Sequence, residues 1–210
     1  DVCIVREACR IITNMAALHE NHPPIISGGG LKALKAGSKN IDAMTARFAS
    51  LGLVNLTSQI DNHHEVLREN LDEELIDLAL GDPRYFLNLD SLGNPQDVEP
   101  DTPRSKGDYE FLREHMYDRD ARRYAVLALG NLAITPECHD KLITEKALEA
   151  FKSCLDVEDD ETRFNASYAV NKLASVEENL ELLGNSGFIP RLIDVVQSAG
   201  RCAVGQACAA

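Results

Sequence analysis

The sequence predicts an all-α solenoid of about four three-helix repeats, with one long loop inserted. Three observations predict it. The chain of 210 residues is 44% hydrophobic but only 5% aromatic, with no Trp, so its apolar content is Leu, Ala, Ile and Val, which suits helices packed on helices. A short pattern recurs along the chain, as "TNMAAL", "VNLTS", "GNLAI" and "NKLAS". The units so marked are too small to bury an apolar face alone and must stack on one another.

The recurrence keeps a register. Asn55 follows Asn14 by 41 residues, Asn131 follows Asn55 by 76, and Lys172 follows Asn131 by 41. The middle gap is one 41-residue period plus 35. Arg6, Arg47, Arg123 and Phe164 stand eight residues before these anchors, and Ala8, Ala49, Ala125 and Ala166 stand six before.

Each unit reads as a short helix ("NHHEVLREN", "PECHDKLITE"), a second ("LDEELIDLAL", "ALEAFKSCL") and a longer third that ends at the anchor ("DARRYAVLALGNLA", "ETRFNASYAVNKLA"). Ala125, Leu129 and Leu132 recur at helical spacing. Asp118, Asp120, Asp159 and Asp160 offer capping carboxylates at third-helix starts. The expected division is a partial repeat at 1–17, repeats at 18–58, 59–134 and 135–175, and a truncated repeat at 176–210. The closing "QACAA" falls inside an apparent helix, which predicts a segment of a longer array.

"LITEKALEAFKSCLDVEDDETRFNASYAVNKLA" and "LLGNSGFIPRLIDVV" resemble the armadillo repeat. The shared features are the period, a small residue before the second helix (Gly29, Gly187) and an "A-x-x-A-L-x-N-L-A" third helix. HEAT repeats lack the Asn-bearing third helix. The resemblance implies a right-handed solenoid whose third helices line a concave groove. There Asn14, Asn55 and Asn131 would hold the backbone of an extended peptide, donor and acceptor together. The competing reading is that each Asn satisfies a helix end. Lys172 breaks the ladder. Armadillo proteins that bind extended peptides often carry Trp four residues before the Asn. Here those positions are Arg10, Leu51, Leu127 and Tyr168, which argues against a nuclear-import adaptor for basic cargo.

Helical geometry places residues four and eight before the anchor on the anchor's face. The groove rows are therefore Arg6, Arg10, Asn14; Arg47, Leu51, Asn55; Arg123, Leu127, Asn131; and Phe164, Tyr168, Lys172. Arg6, Arg10, Arg47, Arg123 and Lys172 make this face basic on a chain of net charge −13. An Arg row favours carboxylates or phosphates, so the expected partner is an extended acidic or phosphorylated segment. The alternative is that the arginines pair with acids at helix starts, namely Glu7, Asp42, Asp118 and Asp120.

The 35 extra residues fall at about 82–115, between a second and a third helix. They hold Pro83, Pro95, Pro100 and Pro103 and read as a loop. Tyr85 and Phe86 lie in its apolar patch and are the candidate contact residues there; a passive loop is the other reading.

Other chemistry fails on the sequence. His22, His63 and His139 each stand eight residues after an anchor. Packed helices lie roughly 8–10 Å apart, too far to share an ion with bonds of about 2 Å. "GGG" at 28–30 lacks the Lys of a phosphate loop and falls at a helix turn, where Gly allows a positive φ. No Ser-His-Asp or Cys-His-Asn set has a defensible context. These observations predict a non-enzymatic scaffold with no cofactor and no metal site. The acidic balance argues against nucleic acid, and no apolar run reaches the ~20 residues of a membrane span. Six cysteines without a C-x-x-C pair point to a reducing compartment, cytoplasmic or nuclear. A structural part of a large assembly, such as a cytoskeletal or ciliary complex, is the remaining alternative.

Overall fold

The computed structural model describes residues 2–40, 42–81 and 119–198. Among these are twelve α-helices and no strand. They are α1 (Val2–Ala16), α2 (His22–Ser27), α3 (Gly30–Ser38), α4 (Ala43–Thr57), α5 (His63–Arg68) and α6 (Leu71–Leu80). After the insertion come α7 (Arg119–Leu132), α8 (His139–Leu142), α9 (Glu145–Leu155), α10 (Asp160–Ala174), α11 (Glu177–Asn185) and α12 (Phe188–Ser198). Single 3-10 turns at His19–Asn21, Ile60–Asn62 and Pro136–Cys138 lead into α2, α5 and α8.

The expected third helices are α1, α4, α7 and α10, and each packs against the next. The second helices α3, α6 and α9 form another layer, and each lies against the third helix that follows it. Leu34, Leu53, Leu71, Leu75, Leu129, Leu132, Phe151 and Leu173 are fully buried. One apolar cluster runs unbroken from Cys9 to Val195. A core that continues from unit to unit is the physical basis of a solenoid, because each joint repeats the same burial.

Local chemistry sets the boundaries. Gly29 (φ 84°) and Gly187 (φ 82°) make the left-handed turn before the second helix, and Asn70 (φ 50°) makes it in the same register. The unit between them in space lacks such a residue. There Thr144 opens α9 by accepting a hydrogen bond from the Ala147 N–H. The third helices α4 and α10 start on side-chain caps: Asp42 accepts from the Thr45 N–H and Asp159 from the Thr162 N–H, both at 2.9 Å.

The first third helix shows which face a joint consumes. Ile4, Ile11 and Met15 on α1 are 69%, 53% and 48% exposed. Their counterparts in register on α4 (Thr45, Gly52, Leu56), α7 (Ala121, Ala128, Leu132) and α10 (Thr162, Ala169, Leu173) are buried. Tyr85 and Phe86, with the rest of the expected loop, lie outside the described residues.

Candidate functional site

The exposed side of the third-helix layer carries the residues singled out in the sequence, and it brings neighbouring rows together through side-chain bonds. At the anchor row, Asn55 Nδ2 donates to the Thr13 carbonyl at 3.1 Å. Asn131 Nδ2 donates to the Val54 carbonyl at 3.4 Å and to Thr57 Oγ1 at 3.2 Å. Thr13 and Val54 each precede the previous anchor by one residue, so the asparagines stand at one height on adjacent helices. The helix-satisfying role is thus real. It occupies the amide nitrogen and leaves Oδ1 without a partner among the described residues. Asn14 is exposed, with no third helix before it among the described residues. Lys172 does not reach back to α7; its ammonium sits 5.2 Å from the centroid of the Tyr168 ring.

The arginine row corrects the expected basic face. Arg6 forms a two-pronged pair with Asp42, Nε to Oδ2 at 2.9 Å and Nη2 to Oδ1 at 2.6 Å. Arg47 pairs with Asp120 at 3.1 Å. Arg123 pairs with Asp159 at 3.0 Å, with Asp120 at 3.4 Å and also with Glu161. Each arginine thus holds an acid at the start of the next third helix, and the carboxylates match the guanidinium charge. Arg10 is paired with Glu7 on its own helix, at 2.5 Å. The alternative stated from the sequence, pairing with acids near helix starts, holds for Asp42, Asp120 and Glu7, and Asp159 joins them as the partner of Arg123.

The pairing shows in proton affinity. Arg6, hydrogen-bonded to it, holds the Asp42 carboxyl below its usual range, against partial burial and with help from Thr45. Partial burial pushes the Asp159 carboxyl up, but hydrogen bonds from Thr162 and Arg123 outweigh it and hold the group low. Arg123 is raised by Asp159, Glu161 and Asp120 despite its own desolvation.

Between the arginine and asparagine rows lie Leu51, Leu127 and Tyr168, all half-buried, with Phe164 beside them on α10. The Tyr168 ring rests on α7 at Gly130, where an added Cβ would meet ring atom Cδ1 at 2.8 Å. Sequence reading did not find this contact. Its signal is a Gly in the one third helix that precedes an aromatic row residue.

A second ladder lies behind this face, at the ends of the third helices. Nε2 of His22, His63 and His139 bonds the carbonyls of Ala16, Thr57 and Ala133, each at 2.8 Å. Asn62 Nδ2 meets His22 Nδ1, and Asn179 Nδ2 meets His139 Nδ1, both at 2.9 Å. At His22 and His139 the amide N–H can only donate, so Nδ1 accepts it and Nε2–H donates to the carbonyl, and each ring joins two units. Their shared register position therefore has a structural origin. Asn21, Asn62 and Asn179 all stand seven residues after an anchor, a repeat that the sequence reading overlooked.

No protein-family model and no curated protein matches the chain. Solved structures do. An engineered protein matches with a TM-score of 0.77 at 18% identity over 100% of this chain and 74% of its own. A computationally designed armadillo repeat protein for modular peptide recognition matches with a TM-score of 0.76 at 19% identity over 100% and 75%. The fold is an armadillo-type repeat solenoid. A designed armadillo repeat protein in complex with the peptide (KR)4 superimposes with a TM-score of 0.73 at 18% identity, over 97% of this chain and 72% of that one. At such identities the likeness establishes the armadillo fold, and the site must be argued from this chain's own residues.

Proposed function

We propose that this armadillo chain is a non-enzymatic interaction scaffold that takes an extended segment of a partner protein along its third-helix face. The observation that carries the reading is the line of Asn55 and Asn131 at one height, each with an Oδ1 that no described residue bonds, beside the half-buried Leu51 and Leu127. An extended backbone presents an N–H to such an oxygen at regular intervals. Two structural neighbours support the reading by what they are: one was designed for peptide recognition and one holds a peptide.

The partner segment is acidic or phosphorylated in this proposal. A basic cargo would need an aromatic row and unpaired acids. The row is instead Arg10, Leu51, Leu127 and Tyr168, and Asp42, Asp120 and Asp159 are paired. The working compartment is reducing, cytoplasmic or nuclear, which suits the free thiols Cys9, Cys138 and Cys154 in the core. No helix among the described residues is long and apolar enough to cross a membrane.

Photo-crosslinking tests the face. A photoreactive residue at Leu127 should label peptides selected from a random displayed library, and one at exposed His64 should not. The double substitution N55A/N131A should abolish the Leu127 labelling while circular dichroism stays unchanged. Equal labelling in the double variant would move the interaction to another surface.

A further inference from the structure

We infer that Tyr168 and Lys172 form the charge-reading subsite of this face and receive a carboxylate side chain of the partner segment. This rests on the third-helix face being the binding surface and adds where, and by which residues, acid is selected.

Four of the five basic residues on the face are occupied. Arg6 holds Asp42, Arg10 holds Glu7, Arg47 holds Asp120, and Arg123 holds Asp159. A ligand carboxylate at any of these must displace a carboxylate already in place, at a helix start for Arg6, Arg47 and Arg123 and on the same helix for Arg10. Lys172 differs. Its contact is with the Tyr168 ring, and no carboxylate lies within ion-pair distance of it among the described residues. Glu161, on the same helix, is held by Arg123.

The register explains why the ammonium is placed so. Lys172 stands where Asn55 and Asn131 stand on the preceding helices, but its ammonium lies over Tyr168 instead of on the neighbouring helix's carbonyl. Its stem folds back along α10 onto Tyr168 four residues earlier, on the same helix face. Tyr168 can lie there because α7 offers Gly130 beneath it. The aromatic face holds the ammonium by its negative quadrupole without neutralising its charge. No described carboxylate occupies its N–H groups, which are therefore open to a ligand. Burial pushes the Tyr168 phenol up, so its hydroxyl keeps its proton and donates.

The consequence is a division along the groove. Asn55 and Asn131 present an amide, which suits any backbone. Lys172 presents only positive charge, which suits a side-chain carboxylate through a charge-assisted hydrogen bond.

The test uses labelled alternating Glu-Ala and Gln-Ala peptides, followed by fluorescence anisotropy at low salt, with a phosphoserine-Ala peptide as a separate arm. Wild type should bind the Glu peptide about tenfold more tightly than the Gln peptide. Lys172→Asn should erase that difference and keep the Gln-peptide affinity. Arg47→Gln should preserve the difference. Gly130→Ala, which displaces the ring but keeps the lysine, should reduce it in part. A Glu preference that survives Lys172→Asn, or one lost in Arg47→Gln, overturns the inference. So does a phosphoserine peptide that alone is preferred over Gln. If wild type binds the Glu and Gln peptides equally, the inference falls and the scaffold reading stands. If no peptide binds, both fall.

Discussion

The joint between α1 and α4 and the joint between α7 and α10 share the same bonds at their two ends and differ midway. At the helix starts, Arg6–Asp42–Thr45 and Arg123–Asp159–Thr162 are the same arrangement in register. At the helix ends, His22–Asn62 and His139–Asn179 repeat to a tenth of an ångström. Between them, Asn55 bonds the Thr13 carbonyl in one joint, while Lys172 lies over Tyr168 in the other. In these two joints the ends are architecture, built from buried partners that hold one unit to the next. The middle faces solvent, where residues are free to serve a partner.

The joint between α4 and α7 sharpens the contrast. His63 Nδ1 meets Thr135 Oγ1 at 2.7 Å, because Cys138 stands where the other units carry Asn. Burial pushes the Cys138 thiol up to about 11, with nearby Glu137 and Asp72 adding to it. Asp72 itself is 1% exposed with Oδ1 unpaired, in the register position that Leu31 and Leu148 fill elsewhere.

The largest effect should come from cutting the ends. Asn62→Ala and Asn179→Ala each strand a buried imidazole nitrogen and a helix-end carbonyl, at about 1–3 kcal/mol. The two should cost the same in denaturant melts. A large inequality would show that the outer joints are not equivalent.

Next comes Asp72→Leu, expected to stabilise at neutral pH by about 1–2 kcal/mol, as a buried carboxylate with one oxygen unpaired gives way to the residue the register expects. Burial raises the folded-state pKa of Asp72. Its unfavourable contribution is therefore absent below the ordinary value of about 3.9 and appears as pH rises through the raised one. The gap between variant and wild type should close on acidification. A constant gap would mean that Asp72 is not the titrating group.

Asp42→Ala and Asp159→Ala should each cost about 1 kcal/mol through loss of the cap. Both carboxyls are depressed in the fold, so their contribution is present above the usual carboxylate pKa and is lost as pH falls through the lower folded value. Matched pH-dependent melts for the two variants would bind the comparison tighter. His63 runs the same way at a higher pH: burial lowers it, so stability falls as pH drops through the ordinary histidine range.

The smallest effect concerns the middle. Lys172→Asn, which restores the ladder residue, should change the melting free energy by less than about 0.5 kcal/mol. A large loss would make the Tyr168–Lys172 pair a structural brace.

The sequence by itself determined the repeat, its period, the three-helix unit and the third-helix ends, because stacked units must bury the same positions each time and so leave a periodic trace. It placed Gly29 and Gly187 at turns and denied His22, His63 and His139 a shared ion, on spacing alone. The tertiary structure decided what each polar residue of the face touches. The sequence left Arg6, Arg47 and Arg123 open between a basic row and pairs with helix-start acids; the following helices bring Asp42, Asp120 and Asp159 to them, from residues 36, 73 and 36 positions away. Asn62 and Asn179 gained meaning only when the next unit's Asn met the previous unit's His. A helical period reports which face a side chain is on; its partner on that face comes from another unit, and nothing in local periodicity encodes that distance.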